Sequence, residues 1–533
     1  PKTLEKMCRE GAKRIGCNLK KPGYEARMKR ELELIYSKKF EDYFYIIADV
    51  CQWARKRMIV GPARGSSCGS LVCYLLEITT VDPIEHGLIF ERFIDVNRDD
   101  LPDIDIDFSD VKRQMVFDYM GEKYGQDHIA RLGTVAIYRP RSALQAAAVA
   151  FDIPRWRVDK VSDSIIERSG GDARALQTTE DTLRETPVGR EFISEYPEML
   201  ISAKMEGQPT HHSQHAAGIV LTEGPITDYV GIDSRTGATH CDKKDAEDLG
   251  LLKIDALGLT QLSIFEDILE MINKPYTFIN TIPLDDRAAF DVLNNRKYAG
   301  IFQFNGVALQ SITDQIKDGL SSFNDIVSIT ALARPGPLNT GSADKWTKVK
   351  NGVAPLTVPH PSFLPYLEDT LGVVTYQEQV MNIGREIGDL SWGDVTALRK
   401  AMSKSLGKEF FDKYGDKWKE GARKRGIPEE VLNKVWDDLC AYGSWAFNKS
   451  HAVAYGLISY YCCWFKAHYP VEFAAATLTH TDSVESQIAL LRELNAEGVG
   501  YVPVDPEQSL AKWAPGVRDG KKVVVGPLSL VIG

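Results

Sequence analysis

The sequence predicts an α+β chain on three observations. Helical periodicity governs residues 24–57 and nearly everything after 261, alternating apolar and polar residues mark strands at 101–108 and within 206–260, and no repeat or low-complexity tract breaks the pattern. At 533 residues and 44% hydrophobic content the chain can build sizeable cores in roughly two to four folding units.

The net charge of -10 excludes a generally basic coat, so any nucleic-acid surface has to be local. The nine cysteines contain no Cys-x-x-Cys pair, and Cys462 and Cys463 fall in an aromatic run, as expected of buried thiols in a reducing compartment. Lys2, Lys6 and Arg9 precede no apolar segment that would make a cleavable signal, and the apolar stretch 452–465 is too short for a membrane span. These features predict a cytoplasmic protein without membrane partners.

Taken in order, residues 24–57 carry apolar stripes through Leu32, Ile35, Phe40, Tyr43 and Ile47, the pattern of amphipathic helices, and end in a short strand Met58–Val60. Gly61-Pro-Ala-Arg-Gly-Ser-Ser-Cys-Gly-Ser70 reads as a loop opening into a helix Leu71–Ile78. Backbone N–H groups and the positive helix end there would suit an anion such as phosphate. It lacks the Gly-Lys-Ser/Thr of a Walker loop.

Leu101-Pro-Asp-Ile-Asp-Ile-Asp-Phe108 follows. As a strand it puts Asp103, Asp105 and Asp107 on one face and Ile104, Ile106 and Phe108 on the other. Carboxylates gathered so closely repel unless a positive group sits among them, and a hard divalent cation with oxygen ligands is the expected one. A calcium loop of the helix-loop-helix type is excluded, because the positions that need Gly and Glu hold Phe108 and Gln114.

Residues 111–205 read as mostly helical. Strand character returns at His215–Thr222 and Leu251–Asp255, where Lys253 and Asp255 share a face. His211, His212 and His215 lack further ligands at metal spacing and read as structural. Helices are expected at 262–272, 302–316 and 326–333, then a rigid turn Ala333-Arg-Pro-Gly-Pro337, a Pro-rich loop at 351–370, and a capping box at Ser391-Trp-Gly-Asp394. Residues 399–425 hold ten Lys/Arg against four Asp/Glu, which is either a solvated face or a nucleotide or nucleic-acid contact. Ala446–His451 places polar donors ahead of an aromatic helix, Tyr455–Trp464.

Gly61-Pro-Ala-Arg-Gly-Ser66, Phe90-Glu-Arg-Phe93, Pro102-Asp-Ile-Asp105, His215-Ala-Ala-Gly218, Lys253-Ile-Asp255, Arg334-Pro-Gly-Pro337, Tyr376-Gln-Glu-Gln-Val-Met381, Leu398-Arg-Lys-Ala-Met402 and Phe447-Asn-Lys-Ser-His451 occur in this order. In these motifs the chain resembles the bacterial C-family DNA polymerases, the family of the DNA polymerase III alpha catalytic core, over roughly residues 25–510.

The resemblance implies a polymerase-beta-like nucleotidyltransferase palm with a mixed sheet, a helical thumb insertion and large, mostly helical fingers. The palm would occupy 1–136, with its N-terminal helices, and 206–260. The thumb would be 137–205 and the fingers 261–485, with 486–533 beginning the region that leads to a clamp-binding domain.

It further implies a template-directed DNA polymerase that adds dNMP from dNTP to a primer 3′ hydroxyl by two-metal-ion in-line phosphoryl transfer in DNA replication. Asp103, Asp105 and Asp255 would be catalytic and hold two Mg2+ ions, with Mn2+ as a substitute. Arg64, Gly65, Ser66, Arg92, Lys253, Arg399, Lys400, Lys404, Lys449 and His451 would bind the nucleotide, and Arg334 would either order the fingers or touch it. Asp107 would support the charge or cap the helix beginning near Val111. Primer-template DNA and dNTP are the implied partners, with a sliding clamp and replisome proteins where a clamp-binding region exists. The setting would be the cytoplasm and nucleoid of a bacterial or phage-infected cell.

The family's upstream polymerase-and-histidinol-phosphatase domain and its downstream clamp-binding portion are not visible here, so an excised core or a compact variant is expected. Lys400 stands where the usual pattern has a second arginine, and Ser444-Trp445 interrupts a Tyr-Gly-Phe-Asn run. The competing readings are a template-independent nucleotidyltransferase, against which the long fingers and thumb argue, and a degenerate DNA-binding scaffold, against which the three aspartates argue.

Overall fold

The structure is a computed structural model that describes residues 3–97, 101–165, 178–404, 408–443 and 446–532, with the side chains at 335, 401–412, 442–443 and 532 outside that set. The chain divides into two units, Pro1–Asp118 with Asp255–Gly533, and Tyr119–Ile254.

In the first unit, α1 (Leu4–Ile15) starts at Thr3, whose side chain accepts from Lys6 N, and ends at Gly16 in the left-handed region. The stripes predicted over 24–57 become α2 (Tyr24–Ser37) and α3 (Glu41–Arg55), which bury Met28, Leu32, Ile35, Phe44 and Ile47. The predicted strand Met58–Val60 shrinks to one bridge between Val60 and Phe108, and the predicted helix Leu71–Ile78 stops early as α4 (Leu71–Leu75).

Strand β1 spans Asp105–Ser109, so Asp103 precedes the strand proper. Ile106 and Phe108 are buried on one side as predicted, and Asp107 is buried too, at 2% exposure, because the chain at Gly61 closes over the other side. A Cβ on Gly61 would lie 2.9 Å from the Asp107 Cβ, so only glycine permits that approach.

Strand β4 (Leu252–Leu259) crosses from the second unit into the first, where it pairs with β1 in parallel and sets Asp105 opposite Asp255. The helix Thr260–Met271 follows directly. Its Glu266 is buried and accepts from Ile59 N at 2.7 Å, Ser109 Oγ at 3.1 Å and Lys112 Nζ at 3.0 Å, which pins the C-terminal end of β1.

The largest core of this unit surrounds the long helix Lys449–His468, where Tyr460, Cys462, Cys463 and Phe465 pack with Phe265, Phe290, Phe304 and Ile326. A second core joins Phe363, Val380, Trp418 and Trp436. A third lies against a three-stranded sheet of Tyr501–Val502, Ala514–Arg518 and Lys521–Val525. All nine cysteines are free thiols and seven are buried. Among the described residues no helix is long and apolar enough to cross a membrane.

The predicted helices hold with shifted limits, Val307–Asp314 and Phe323–Leu332. The predicted rigid turn at 333–337 is instead an extended Arg334 capping a short helix Pro335–Asn339, since proline at the first helical positions sacrifices no hydrogen bond. Within the predicted loop 351–370 a short helix, Leu364–Leu367, forms. Ser391 and Asp394 do form the capping box, with Asp394 N donating to Ser391 Oγ at 3.1 Å and Ser391 N to Asp394 Oδ2 at 3.2 Å.

In the second unit the helical reading of 111–205 missed β2 (Ile129–Ile137). It pairs antiparallel with β3 (Pro209–Leu221), which lies beyond the helices that follow it. Helices Pro140–Ala150, Arg155–Asp163, Thr179–Glu185 and Pro187–Glu195 share a core through Leu144, Val158, Leu183 and Phe192. His211, His212 and His215 all lie on β3, and His215 Nδ1 accepts from Ala217 N and Gly218 N at 3.2 and 2.8 Å.

Candidate active site

The parallel register of β1 and β4 creates the site. Asp105 and Asp255 are direct partners, Asp103 stands two residues upstream, and ligand oxygens of the three lie within 4.8 Å of one another. Asp103 is exposed, Asp105 half-buried and Asp255 buried, so the cluster opens outward at one edge. Burial, then the charges of Asp103 and Asp255, push the Asp105 carboxyl up to about 6, with Arg64 opposing. Three mutually repelling carboxylates are the donor set of a hard divalent cation, and they fit one.

Arg64 and Gly65 form the rim. Gly65 begins a 3-10 turn, Gly65–Gly69, with φ +63°, and a Cβ there would come 4.0 Å from Asp105 Oδ2. The turn therefore lies against the acid with its backbone bare. The Arg64 guanidinium donates to Asp107 Oδ1 at 3.0 Å and to the Tyr455 hydroxyl. Asp107 is thus the counter-ion that aims Arg64. It does not cap a helix, because the next helix begins only at Arg113.

The predicted anion cradle at the start of α4 is filled by the protein itself. Glu31, fully buried on α2, accepts from Leu71 N, Val72 N and Ser70 Oγ, each at 2.9 Å. Arg27 pairs with Glu31 at 2.6 Å and donates to Gly69 O and Leu88 O, so the pair clamps the base of the turn. Only the Gly65–Ser66 end stays half-open.

The predicted cations separate into groups. Arg92 donates to Gln377 Oε1 at 3.1 Å, and burial lowers its pKa. Burial and the charge of Arg92 bring Arg399 down to about 10. Arg64, Arg92 and Arg334 all act on His451, which burial and these charges lower to about 4, so it stays neutral. Lys253 is half-buried on β4, two residues before Asp255.

Lys400 does not join the group. It is ion-paired with Asp95. Lys449 lies over the Tyr376 ring at 5.6 Å. Farther along the basic stretch, Lys417 pairs with Asp394, Arg423 with Glu429, and Lys424 and Arg425 with Asp389, so much of its excess charge is spent within the protein. The Lys404 side chain and the Ser444-Trp445 interruption lie outside the described residues.

Sequence reading missed Glu31, Glu378 and Tyr455. Glu378 is buried and accepts from Lys449 N at 2.9 Å and Ser450 N at 3.5 Å, capping the long helix. Its place beside Gln377 within Tyr376–Met381 was the available signal. Glu31 looked like the polar edge of an amphipathic stripe and gave none.

Two family profiles match the chain. That of the bacterial DNA polymerase III alpha NTPase domain covers residues 2–258, and that of the bacterial DNA polymerase III alpha subunit finger domain covers 261–426. Curated relatives named DNA polymerase III subunit alpha are 36% identical in Aquifex aeolicus over 91% of the chain, 37% in Bacillus subtilis over 95% and 34% in Escherichia coli over 95%. The chain spans under half the length of each, 44%, 45% and 45%.

Proposed function

Because the chain belongs to the bacterial DNA polymerase III alpha-subunit family, we propose that it is a template-directed DNA polymerase, transferring dNMP from dNTP to a primer 3′ hydroxyl with release of pyrophosphate during DNA replication. The convergence of Asp103, Asp105 and Asp255 carries this reading.

In it the three carboxylates hold two Mg2+ ions, for which Mn2+ substitutes. Bound there, the ions would activate the hydroxyl and neutralise charge developing on the phosphates. Gly65 and Ser66 offer backbone and hydroxyl donors to the triphosphate. Arg64, aimed by Asp107, together with Arg92, Lys253 and Arg399, supplies compensating charge. Lys400, tied to Asp95, and Lys449, stacked on Tyr376, order the fingers around the nucleotide. His451 contributes a neutral ring.

Residues 1–136 and 206–260 act as a polymerase-beta-like palm, 137–205 as thumb, 261–485 as fingers and 486–533 as the approach to clamp binding. Primer-template DNA is the substrate, a sliding clamp and replisome proteins are the partners of the longer assembly, and the bacterial cytoplasm is the setting.

Primer extension with and without template tests the proposal. Extension that depends on template and Mg2+, and is abolished by Asp103→Asn, is expected. Extension that ignores the template would replace this reading with a template-independent transferase.

A further inference from the structure

Asp103 is the acid of the trio that lies outside the strand ladder. β1 begins at Asp105, and its parallel pairing with β4 starts at the Asp105 and Asp255 partners, so the sheet fixes the backbone of two carboxylates and stops short of the third. Asp103 is also the exposed member. Repulsion within the cluster drives an acid on an unpaired segment outward. Residues 103 and 104 therefore need a hold that the sheet does not supply.

That hold comes from α3. Ile104 is buried, and its backbone N donates to the Tyr43 hydroxyl at 3.2 Å. A buried N–H ahead of a strand has no ladder partner and must find its acceptor elsewhere. Tyr43 stands in the first turn of α3, buried, with its ring edge-to-face on Phe44 at 6.2 Å, and Phe44 packs the same way on Phe93 at 6.2 Å. A phenol packed on an aromatic core has few torsions left to move, so its hydroxyl is a fixed point. Burial, then the charges of Asp103 and Asp255, push the Tyr43 pKa upward, and the hydroxyl stays neutral beside the acids. It anchors the segment without adding a further negative charge to it.

We propose that Tyr43 is a positioning residue for the cation site: by accepting from the backbone N–H between Asp103 and Asp105, it clamps that segment so that Asp103 stands with Asp105 and Asp255 before a cation arrives. Its contact is with the backbone between two carboxylates, so it acts through them. A trio held in place spares the cation the cost of ordering it. Partners that orient the groups around a metal are commonly responsible for about 10–100-fold in affinity. This rests on the reading of the three carboxylates as a divalent-cation site and deepens it.

Mn2+ binding to the 533-residue chain, followed by loss of the free-ion EPR signal, tests this without turnover, alongside the Mg2+ dependence of primer extension. Tyr43→Phe keeps the ring and removes the acceptor. It is expected to weaken Mn2+ binding about tenfold and to raise the Mg2+ concentration for half-maximal extension by a similar factor, with the dNTP KM at saturating Mg2+ changed by less than about twofold. Phe44→Leu, which loosens the same aromatic packing and keeps the hydroxyl, is expected to leave Mn2+ affinity unaltered. A backbone ester at 104, introduced with the α-hydroxy analogue of isoleucine, removes the N–H and keeps both side chains. It is expected to weaken Mn2+ binding as Tyr43→Phe does, with the two changes together costing no more than either alone. The ester also carries the test should Tyr43→Phe fail to fold. Mn2+ affinity equal to that of the unaltered chain in Tyr43→Phe or in the ester would overturn the proposal. So would a loss in Phe44→Leu as large as that in Tyr43→Phe, which would make the effect one of packing. If the unaltered chain binds no Mn2+, the cation-site reading itself falls, and that outcome is distinguishable from failure of Tyr43 alone.

Discussion

Asp105 and Asp255 face each other as register partners on parallel strands, although they are remote in sequence. Neighbouring strands lie about 4.8 Å apart, so this register alone forces two carboxylates together. The raised pKa of Asp105 records the cost. The pair should therefore be a site where activity opposes stability. Asp105→Asn is expected to abolish extension by about three orders of magnitude or more. In chelator, where no cation offsets the repulsion, the same variant should unfold about 1–3 °C higher than the unaltered chain. A lower midpoint in chelator would mean that the carboxylates are held by contacts, without net strain.

Asp107 offers a contrast two residues along. Its carboxylate is engaged by Arg64 at 3.0 Å, so Asp107→Ala should leave cation binding by the trio intact, as read by terbium luminescence. Extension should fall roughly 10–100-fold through a misplaced Arg64, the range typical of residues that orient a ligand-contacting group. Loss of terbium binding in this variant would make Asp107 a ligand and Arg64 incidental.

The acids were legible because alternation is a strand property, and period two placed Asp103, Asp105 and Asp107 together and Lys253 with Asp255 before any fold was known. Which acid meets which cation was not legible. Asp103 and Asp107 share the same pattern, and only the closure of Gly61 over one of them separates an exposed acid of the trio from a buried counter-ion of Arg64. Strand β2 escaped because its partner β3 lies beyond a run of helices, and pairing across such a distance leaves no local mark. The anion cradle at α4 was placed at a real helix end. Its occupant, Glu31, comes from another helix, and periodicity cannot distinguish a buried acid from an exposed one on the edge of a stripe.

Glu31 should accordingly be a strong structural determinant. Glu31→Ala leaves two buried backbone N–H groups and the Ser70 hydroxyl without their acceptor and takes the counter-ion from Arg27. The expected loss is on the order of 3 kcal/mol in urea unfolding. Because the Gly65–Ser66 turn rests on this clamp, the variant should also have a raised dNTP KM at temperatures where it remains folded. A stability change below about 0.5 kcal/mol, the usual range of surface substitutions, would show that water reaches the start of α4.

His451 sets the acid limit. Burial comes first, then the guanidiniums of Arg64, Arg334 and Arg92, in lowering its pKa from the ordinary 6.5 to about 4. Between those values the unfolded chain binds a proton that the folded chain refuses, so stability must fall as pH drops through that window and is fully present above it. The contribution lost by pH 4 is on the order of 2–3 kcal/mol. His451→Gln, which cannot titrate, should flatten the dependence of the unfolding midpoint on pH between 6.5 and 4, whatever its effect on activity. Nucleotide should act in the same direction, because triphosphate bound among those arginines would offset the charges that oppose protonation. An undiminished slope in the glutamine variant would assign the acid sensitivity to other groups and remove His451 from the cationic cluster.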